Sequence, residues 1–379
     1  MRRLISAFLC LFFLPLTSAV HSATLIPAVP KVQAKGYLLI DFHSGQVLAE
    51  KNADMRLEPA SLTKILSAYV VDYELAQGNI HLDDEVVISK KAWRMPGSRM
   101  FVEVGKKVSV EDLLKGVIIQ SGNDATVALA EHVAGSEEAF ASLMNQHAAK
   151  LGMTNSHFVN ATGLPHKEHY TTARDLATLA QALIRDFPGN YALHGEKEFT
   201  FNGIKQYNRN KLLWRNKYVD GIKTGHTEAA GYCLVASMAR DGMRLISVVL
   251  GARSEEARTA ETQKLLTYGF RFFETHRLYA ANEPLTTARI WKGETEELPL
   301  GLAEDLYITI PRGQYKKLKA NMSIDKRIIA PVHAGQAFGT VNVSLDGTQY
   351  AQRDLVSLTE VAEGGLFGNL VDEVRLMFE

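Results

Sequence analysis

The first part of the chain, up to about residue 285, has strand patterns at both ends and helical patterns between them. Two pairs of strand-like stretches surround short turns, at residues 37–41 with 47–50 and 230–238 with 244–251. Both pairs are typical of β-hairpins, the second strongly so because Asp241-Gly242 suits a two-residue turn. Strands from both ends can bury one core by pairing in one sheet. We therefore predict an α+β fold in which an antiparallel sheet carries a cluster of helices.

Apolar residues recur every three to four positions in the middle of this region, as in helices that bury one face. The predicted helices span residues 61–75, 123–133, 136–151, 172–185 and 255–275. Ser109 with Asp112, and Thr172 with Asp175, have the spacing of a capping box at a helix start. The helical cluster is thus predicted to lie between the two sets of strands.

Beyond about residue 285 the chain changes to short segments rich in β-branched residues. Turn residues such as Pro311, Gly313 and Gly347 separate these segments. The pattern is typical of a small all-β domain. We predict an α+β domain over residues 27–285 and a β-rich domain over residues 286–361.

The chain begins with a targeting pattern. Arg2 and Arg3 precede an apolar run over residues 4–16, and small residues such as Ala19 and Ala23 follow. This is the pattern of a secretory signal peptide, here residues 1–23. The run is too short to span a bilayer well, which disfavours the alternative of an uncleaved anchor. We therefore predict an exported protein.

The cysteines fit this prediction. Cys10 lies inside the apolar run, where a lipidated cysteine is not expected, and removal of the signal leaves only Cys233. An exported protein with one cysteine forms no internal disulfide, so its core must hold it together. Cys233 lies in an apolar run and is predicted to be a buried packing residue.

The last stretch, residues 362–379, is predicted to be an amphipathic helix. Its apolar residues recur at helical spacing at positions 366, 367, 370, 371, 374, 377 and 378. Such a helix is typical of a segment that lies in a membrane interface, and the alternative is a helix packed on the β-rich domain. Residues 365–379 carry a net charge of −2, which would not attract anionic lipid, so membrane binding would have to come from apolar burial.

The charge balance and the histidines exclude other classes of function. The chain has 42 basic and 42 acidic residues, whereas nucleic-acid binding requires a clustered basic surface. His166 and His169 lie close together, but no third ligand accompanies them at a suitable spacing. We predict no nucleic-acid partner, no metal site and no cofactor, and we assign both histidines to a loop.

Three short motifs follow one another along the α+β region. They are Ser61-Leu-Thr-Lys64, Ser121-Gly-Asn123 and Lys223-Thr-Gly225. Ser61 and Lys64 are one helical turn apart and share a face of the first predicted helix. A serine hydroxyl becomes a good nucleophile when a base takes its proton, and lysine is such a base when burial or a second cation lowers its pKa. The first motif therefore indicates a nucleophile, Ser61, beside a general base, Lys64.

The second motif is predicted to lie on a turn that faces this pair. From there Ser121 could relay a proton to a leaving amine, and Asn123 could hold a substrate amide. The site would then combine a nucleophile, a base and a proton relay.

The third motif precedes an apolar strand. Lys223 could supply the second cation, and Lys223 with Thr224 could bind a substrate carboxylate. Gly225 would let a substrate backbone approach a strand at the sheet edge. The backbone N–H groups of Ser61 and His226 would form an oxyanion hole.

The order of the motifs matters more than any one of them. A second Ser-x-x-Lys occurs at Ser323 and Lys326 in the β-rich region, without partner motifs, and is predicted to be a turn. Alone, Ser61 would fit a helix N-cap beside a surface lysine better than a catalytic site. Three motifs in order, each in a suitable structural place, favour a catalytic site.

The same trio is the signature of penicillin-binding proteins and class A β-lactamases. The chain resembles the low-molecular-mass penicillin-binding proteins that are D-alanyl-D-alanine carboxypeptidases, the type-five and type-six group of Gram-negative bacteria. The resemblance runs from about Pro27 to the C-terminus, and its most similar stretches are residues 59–64, 120–125, 208–210, 220–227 and 269–273.

This resemblance implies a serine β-lactamase/transpeptidase-like domain over residues 27–285. It implies acylation of Ser61, with Lys64 as the base and Ser121, Asn123 and Lys223 completing the site. The implied reaction removes the terminal D-alanine from peptidoglycan stem pentapeptides, with β-lactam antibiotics as covalent inhibitors.

The resemblance also implies a peripheral anchor, in which the C-terminal helix holds the protein on the periplasmic face of the inner membrane. Arg209 and Arg253 resemble family positions near the site, where either could contact the substrate carboxylate; the alternative for each is a surface or structural arginine.

Three other functions are compatible with parts of this pattern. A β-lactamase would use the same nucleophile and a glutamate-bound water, but Glu168 lacks an asparagine four residues on, where Thr172 stands. A D,D-endopeptidase would cut cross-links with the same site. A non-catalytic wall-binding scaffold is disfavoured because the trio is complete.

Overall fold

The computed structural model of the chain describes residues 26–378. The predicted signal peptide over residues 1–23, with Cys10, lies outside the described residues. The α-helices are α1 (Thr63–Ala76), α2 (Lys90–Trp93), α3 (Val110–Lys115), α4 (Asn123–Ala134), α5 (Glu137–Lys150), α6 (Ala173–Asp186), α7 (Pro188–Tyr191), α8 (Leu212–Arg215), α9 (Glu255–Phe272) and α10 (Leu366–Leu376).

The strands follow the same chain order. They are β1 (Gly36–Asp41), β2 (Val47–Lys51), β3 (Glu85–Val87), β4 (Lys107–Ser109), β5 (Glu198–Phe201), β6 (Ile204–Tyr207), β7 (Val219–Thr227), β8 (Gly231–Arg240), β9 (Met243–Ala252), β10 (Phe273–Tyr279), β11 (Pro284–Trp291), β12 (Glu297–Gly301), β13 (Leu306–Pro311), β14 (Leu318–Ile324), β15 (Ile328–Ile329), β16 (Ala337–Leu345) and β17 (Thr348–Ser357).

Five antiparallel strands form the central sheet, in the order β2-β1-β9-β8-β7. Both predicted hairpins are present, and Asp241 and Gly242 have φ angles of 54° and 77°, as a type I′ turn requires. The β1–β9 pairing joins the two ends of the domain. Within the described chain β7 pairs only with β8, so β7 forms an edge of this sheet. The predicted α+β fold is confirmed.

Helices cover both faces of the sheet. Leu38 and Ile40 of β1 pack in a core with residues of α1, α4, α5 and α6. Leu39 between them packs on the opposite face in a core with Leu265 and Leu266 of α9. Side chains alternate along a strand, so neighbouring residues of β1 contribute to different cores. The helical cluster therefore occupies one face, and the long helix α9 closes the other.

The predicted helix caps are only partly formed as capping boxes. Ser109 caps α3, and Thr172 Oγ1 accepts a hydrogen bond from the Asp175 N–H at 3.0 Å at the start of α6. The Asp175 carboxylate does not return the bond to the cap. It accepts from the Asn155 N–H and the Ser156 hydroxyl instead, and so fixes the loop that precedes the helix.

Helix α9 ends at Phe272, earlier than the predicted end at residue 275. Phe273 is buried with extended backbone, and the Thr275 hydroxyl donates to Asp41 Oδ2 at 2.7 Å. The burial of Phe273 and the hydrogen bond of Thr275 stabilise a strand where periodicity alone predicted more helix. Strand β10 thus follows α9 directly and pairs with β13.

The C-terminal region is built from strands around its own core. β10 pairs with β13, and six strands form a second sheet in the order β14-β16-β17-β12-β11-β15. Aliphatic side chains from these strands form a separate hydrophobic cluster. A C-terminal all-β domain is confirmed, and its strands begin with β10 at Phe273, before the predicted boundary at residue 286. Its contact with the first domain includes the Ser44 and Thr309 hydroxyls, which lie 2.6 Å apart.

The chain ends in α10, which has exposed apolar side chains along one side. Phe367 is 89% exposed and Leu370 is 65% exposed. The opposite side contacts the β-rich domain, where the Lys292 N–H donates to Asp372 Oδ2 at 2.7 Å and the Lys292 ammonium pairs with Glu373. Among residues 26–378, no helix has the length and apolarity that a bilayer crossing requires.

Candidate active site

Ser61 lies in a short 3₁₀ turn, Ala60–Leu62, immediately before α1. The α-helix itself begins at Thr63, slightly later than predicted. Ala60 has a φ angle of +48°, a left-handed conformation that costs an L-residue about 1–3 kcal/mol. Neighbouring contacts must therefore hold in place residues 59–63, called the nucleophile turn because they include the predicted nucleophile Ser61.

A chain of buried hydrogen bonds supplies that support. Thr63 Oγ1 donates to the Ala60 carbonyl oxygen at 2.8 Å and lies 2.8 Å from His169 Nε2. His169 Nδ1 accepts from the Val159 N–H, which leaves the proton of a neutral imidazole on Nε2. Burial lowers the pKa of His169 to about 4, so the ring is neutral. His169 is the loop residue that the sequence indicated, and it braces the nucleophile turn.

Gly163 packs against the same turn. Its φ angle is +84°, and a Cβ at this position would overlap the Ala60 carbonyl oxygen and lie 2.8 Å from Thr63 Oγ1. Only glycine fits both the backbone conformation and the space. The neighbouring Thr162 carbonyl oxygen accepts a hydrogen bond from Lys64 at 2.6 Å, so this loop also contacts the general-base candidate.

Lys64 is 1% exposed, and its ammonium nitrogen has three oxygen neighbours. Nζ lies 2.6 Å from the Thr162 carbonyl oxygen, 2.7 Å from Asn123 Oδ1 and 3.3 Å from Ser61 Oγ. The Asn123 amide nitrogen donates to Pro96, which leaves its oxygen facing Lys64. A neutral amine has two N–H groups and one lone pair. When the two N–H groups serve the first two acceptors, the lone pair is directed at the Ser61 hydroxyl.

The surroundings favour the neutral form of this amine. Burial lowers the pKa of Lys64 to about 7, and the positive charge of Arg209 adds to this effect, while Asp124 and Glu137 oppose it. Burial, followed by the charge of Lys64, also holds the pKa of Lys223 well below its usual range. The sequence assigned the second cation to Lys223, but Arg209 is the cation that acts most on Lys64.

The second motif lies where a π-helical turn, Gly116–Gln120, meets α4. Ser121 ends this turn with a φ angle of 64°, and Asn123 begins α4. Ser121 Oγ is buried and has no hydrogen-bond partner among the described residues. Ser121 also lines the cleft above Ser61. Its hydroxyl is thus available to a group bound in the cleft.

Strand β7 lies directly against the nucleophile turn. A Cβ at Gly225 would lie 2.9 Å from the Pro59 carbonyl oxygen and 3.2 Å from the Ser61 nitrogen. The sequence predicted that Gly225 makes room for a substrate backbone. In the structure it makes room for the backbone of the nucleophile turn, because any side chain there would push β7 away from Ser61.

A cleft of about 390 Å³ opens over Ser61. Its lining residues are Ser61, Gly97, Ser98, Ser121, Arg209, Thr224, Gly225, His226, Tyr232, Glu255 and Arg258. The predicted residues Lys64, Asn123 and Lys223 are buried, and Lys64 and Asn123 contact each other near the cleft floor. A larger groove of about 850 Å³ along α9 contains none of the three motifs.

The two arginines singled out in the sequence lie in different surroundings. Arg209 lines the cleft, but Arg253 is exposed and is not among its lining residues in the described structure. Arg258 is the second arginine that lines the cleft. It is 5% exposed, its Nη1 donates to the Gly225 carbonyl oxygen at 3.2 Å, and its guanidinium lies 5.6 Å from the Tyr232 ring centroid.

Sequence reasoning missed Arg258, although one signal for it existed. Ser254 caps α9, with Oγ accepting from the Ala257 N–H at 3.0 Å. A cap at this position sets which residues of the first turn share a face, and places Glu255 and Arg258 together on the side towards β7.

The carboxylate required by the β-lactamase alternative is not in the cleft. Glu168 is exposed, and its backbone oxygen contacts His157 Nδ1 at 2.7 Å. Among the described residues that line the cleft, Glu255 is the one acid, and it lies beside Arg258, with 3.6 Å between Oε1 and Nη2.

The site can therefore support acyl transfer. A hydroxyl lies beside a buried amine of lowered pKa, a second free hydroxyl faces the same cleft, and two arginines can attract a carboxylate. Residues 26–378 contain no cluster of three or more histidine, cysteine, aspartate or glutamate side chains arranged to hold a metal ion.

Two family models match the chain. Residues 23–254 match the family described as D-alanyl-D-alanine carboxypeptidase. Residues 273–363 match the C-terminal domain of penicillin-binding protein 5. One match falls on each domain of the described structure, with α9 between the two matched ranges.

Individual relatives agree with these matches. The D-alanyl-D-alanine carboxypeptidase DacA of Escherichia coli K12 is 46% identical over 100% of this chain and 96% of its own length. The structure of penicillin-binding protein 5 from Haemophilus influenzae is 44% identical, covers 88% of this chain and 99% of that one, and has a TM-score of 0.85.

A shorter relative has been solved with an antibiotic bound. The structure of penicillin-binding protein D2 from Listeria monocytogenes in its ampicillin-bound form is 31% identical, with a TM-score of 0.59. It covers 64% of this chain and 98% of that one.

Proposed function

Because the chain belongs to the D-alanyl-D-alanine carboxypeptidase family, we propose that it removes the terminal D-alanine of stem pentapeptides through an acyl-enzyme on Ser61. Its activity is that of a hydrolase of this family. The observation that carries the residue assignment is the 3.3 Å approach of Lys64 Nζ to Ser61 Oγ in a buried setting.

In the proposed acylation step, the Ser61 oxygen attacks the carbonyl carbon of the scissile D-Ala-D-Ala bond. Its proton passes to the lone pair of Lys64. The negative charge that develops on the carbonyl oxygen is held by the backbone N–H groups of Ser61 and His226. The close packing of Gly225 on the Ser61 nitrogen supports this role, because it brings β7 and the nucleophile turn together.

In the second half of acylation, the C–N bond breaks and the leaving amine takes a proton. The proton comes from Lys64 through the Ser121 hydroxyl, which faces the cleft without another partner in the described structure. Free D-alanine leaves with a neutral amine that is protonated in water. Water then attacks the acyl carbon of the ester while Lys64 accepts a proton from it. The bond between the acyl carbon and Ser61 Oγ breaks, and Lys64 returns the proton to Oγ, which regenerates Ser61.

The substrate's terminal carboxylate is recognised in the part of the cleft that Arg209, Thr224 and Arg258 line. We propose that Arg209, Arg258 and the Thr224 hydroxyl bind it, with the buried Lys223 adding a hydrogen bond from below. Arg258 is well suited because the Gly225 carbonyl and the Tyr232 ring fix its guanidinium. Asn123 holds the Lys64 amine by its oxygen, and the bond from its amide nitrogen to the Pro96 carbonyl fixes that orientation.

Mass spectrometry after incubation with benzylpenicillin tests this proposal. We expect a covalent adduct on Ser61 that persists for minutes. Without benzylpenicillin, we expect release of D-alanine from a pentapeptide mimic. Ser61→Ala should show neither, because the attacking oxygen is lost. Ser323→Ala should match the wild type in both assays, because Ser323 lies on the exposed strand β14, and not in a turn as the sequence predicted.

The penicillin and peptide assays, with a cross-linked dimer added as a second peptide substrate, separate the alternative functions. Fast turnover of benzylpenicillin without a lasting adduct would identify a β-lactamase. Faster cleavage of a cross-linked dimer than of the pentapeptide would identify an endopeptidase. The absence of adduct and of product in the wild type would leave the non-catalytic scaffold.

We also propose that α10 attaches the exported protein to the periplasmic face of the inner membrane. The β-rich domain binds the acidic side of the helix through Lys292, with Arg289 about 4.0 Å from Asp372. The apolar side faces outwards, so the net negative charge of the helix does not have to meet the lipid. Apolar burial can then supply the binding free energy.

Replacing Phe367 and Leu370 with serine should weaken binding to phospholipid vesicles by about 10- to 100-fold, since each removes a large buried contact with lipid. Vesicle co-sedimentation measures this, and D-alanine release from soluble peptide should be unchanged. The control is Met322→Ser, which removes an exposed apolar side chain from β14. Equal binding of both variants would contradict the anchor.

A further inference from the structure

Glu255 is an acid in a cleft that is proposed to receive a carboxylate. It stands at the first position of α9, and its side chain lines the cleft together with Arg209, Thr224 and Arg258. The other polar side chains that line the cleft are hydroxyls, an imidazole or guanidinium groups. A negative charge at this place acts on any anion that binds there.

The contacts of Glu255 with its basic neighbours are long. Its Oε1 lies 3.6 Å from Arg258 Nη2 and 3.4 Å from Lys211 Nζ, both too long for strong hydrogen bonds. Arg258 is fixed independently by the Gly225 carbonyl and the Tyr232 ring. Loss of the Glu255 charge would therefore leave the guanidinium in place.

The charge of Glu255 nevertheless reaches both arginines. Burial lowers the pKa of Arg209 and of Arg258, and the Glu255 carboxylate opposes this effect at each of them. Arg258 Nε is buried and has no hydrogen-bond partner among the described residues, so part of this guanidinium remains unmatched. An incoming carboxylate would bind Arg258 beside a carboxylate that is already there.

We infer that Glu255 is a specificity-determining residue that weakens binding of the substrate's terminal carboxylate by like-charge repulsion. This inference rests on the proposed function, because it takes the cleft as the carboxylate site. The repulsion raises KM for peptides with a free C-terminus, and it speeds the departure of D-alanine, which carries the same carboxylate away. A molecule without a carboxylate in this position would not be affected.

The chain offers a matched control for Glu255. Glu256 also lies in the first turn of α9 and also lies 3.4 Å from Lys211 Nζ, but it does not line the cleft. Glu256→Gln therefore changes the helix dipole interaction and the Lys211 pair as Glu255→Gln does. Only Glu255→Gln removes charge from the cleft.

The test measures second-order acylation by benzylpenicillin and by its methyl ester, which lacks the carboxylate. We expect Glu255→Gln to accelerate acylation by benzylpenicillin about fivefold at low ionic strength, and less in high salt, because salt screens the repulsion. Acylation by the methyl ester should stay within about twofold for this isosteric change. With a pentapeptide mimic, KM and the inhibition constant of D-alanine should fall, while kcat changes little.

Three results would overturn the inference. They are equal acceleration with both penicillins, the same effect in Glu256→Gln, or slower acylation by benzylpenicillin in Glu255→Gln. The last result would mean that Glu255 positions Arg258. Failure of the proposed function gives a different result, because the wild type would then form no adduct with benzylpenicillin and release no D-alanine.

Discussion

Replacing Lys64 with glutamine is expected to slow acylation of Ser61 by about 10²- to 10⁴-fold, the usual contribution of a general base. Glutamine can still donate to the Thr162 carbonyl, but it has no lone pair of sufficient basicity to accept the Ser61 proton. Stopped-flow measurement of adduct formation with a fluorescent penicillin gives the rate. The control is Lys326→Gln in the β-rich domain, which should acylate as the wild type does.

The pH dependence of acylation in the wild type also follows from Lys64. The pKa of Lys64 is lowered to about 7, and only the neutral amine can accept a proton. The acylation rate should therefore rise with pH through about 7 and fall roughly tenfold per unit on the acid side. An acylation rate that is independent of pH from 5 to 9 would contradict Lys64 as the base, as would an unimpaired Lys64→Gln enzyme.

Replacing Gly163 with alanine is expected to have the largest effect on stability. The left-handed backbone costs alanine about 1–2 kcal/mol, and the overlap with the Ala60 carbonyl oxygen adds about 1–3 kcal/mol. The nucleophile turn must also shift, so acylation should slow together with the loss of stability. Denaturant unfolding gives the free energy, and the penicillin assay gives the acylation rate.

Gly152→Ala is the matched control for this substitution. Gly152 has a φ angle of +79°, but no atom lies within 4 Å of the position of its missing Cβ. Gly152→Ala should therefore lose only the free energy of unfolding that the left-handed backbone costs alanine, about 1–2 kcal/mol, and should be acylated normally. If both variants lost the same free energy and acylated alike, the packing of Gly163 on the nucleophile turn would not matter for catalysis.

Local patterns in the sequence were sufficient to predict the frame of the site. Ser61 and Lys64 were expected on one helical face, and their atoms are within 3.3 Å. The Asp241-Gly242 hairpin and the Thr172 cap were also predictable, because each depends on residues close in the chain. These features need only short-range geometry, which spacing and residue type describe well.

Contacts between distant segments were harder to predict. The partner of Gly225 is the turn before α1, and no local pattern shows that these two backbones touch. Arg258 was missed because the Ser254 cap shows which residues share a face of α9, but not that this face lies towards β7. Thr275 leaves the helical pattern because of a hydrogen bond to Asp41, a residue more than two hundred positions earlier.

The buried position of Lys64 has a consequence for folding itself. On unfolding, the amine returns to water and its pKa rises from about 7 to 10.5, so between these pH values the unfolded chain takes up a proton that the folded chain does not hold. Since the unfolded state binds more protons, this residue makes the fold more stable as pH rises across that window. Below pH 7 the cost of burying the charged Lys64 amine, on the order of 5 kcal/mol, opposes folding in full. The rest of the molecule must supply that free energy, so the reactive state of the enzyme is maintained by packing far from the reacting atoms.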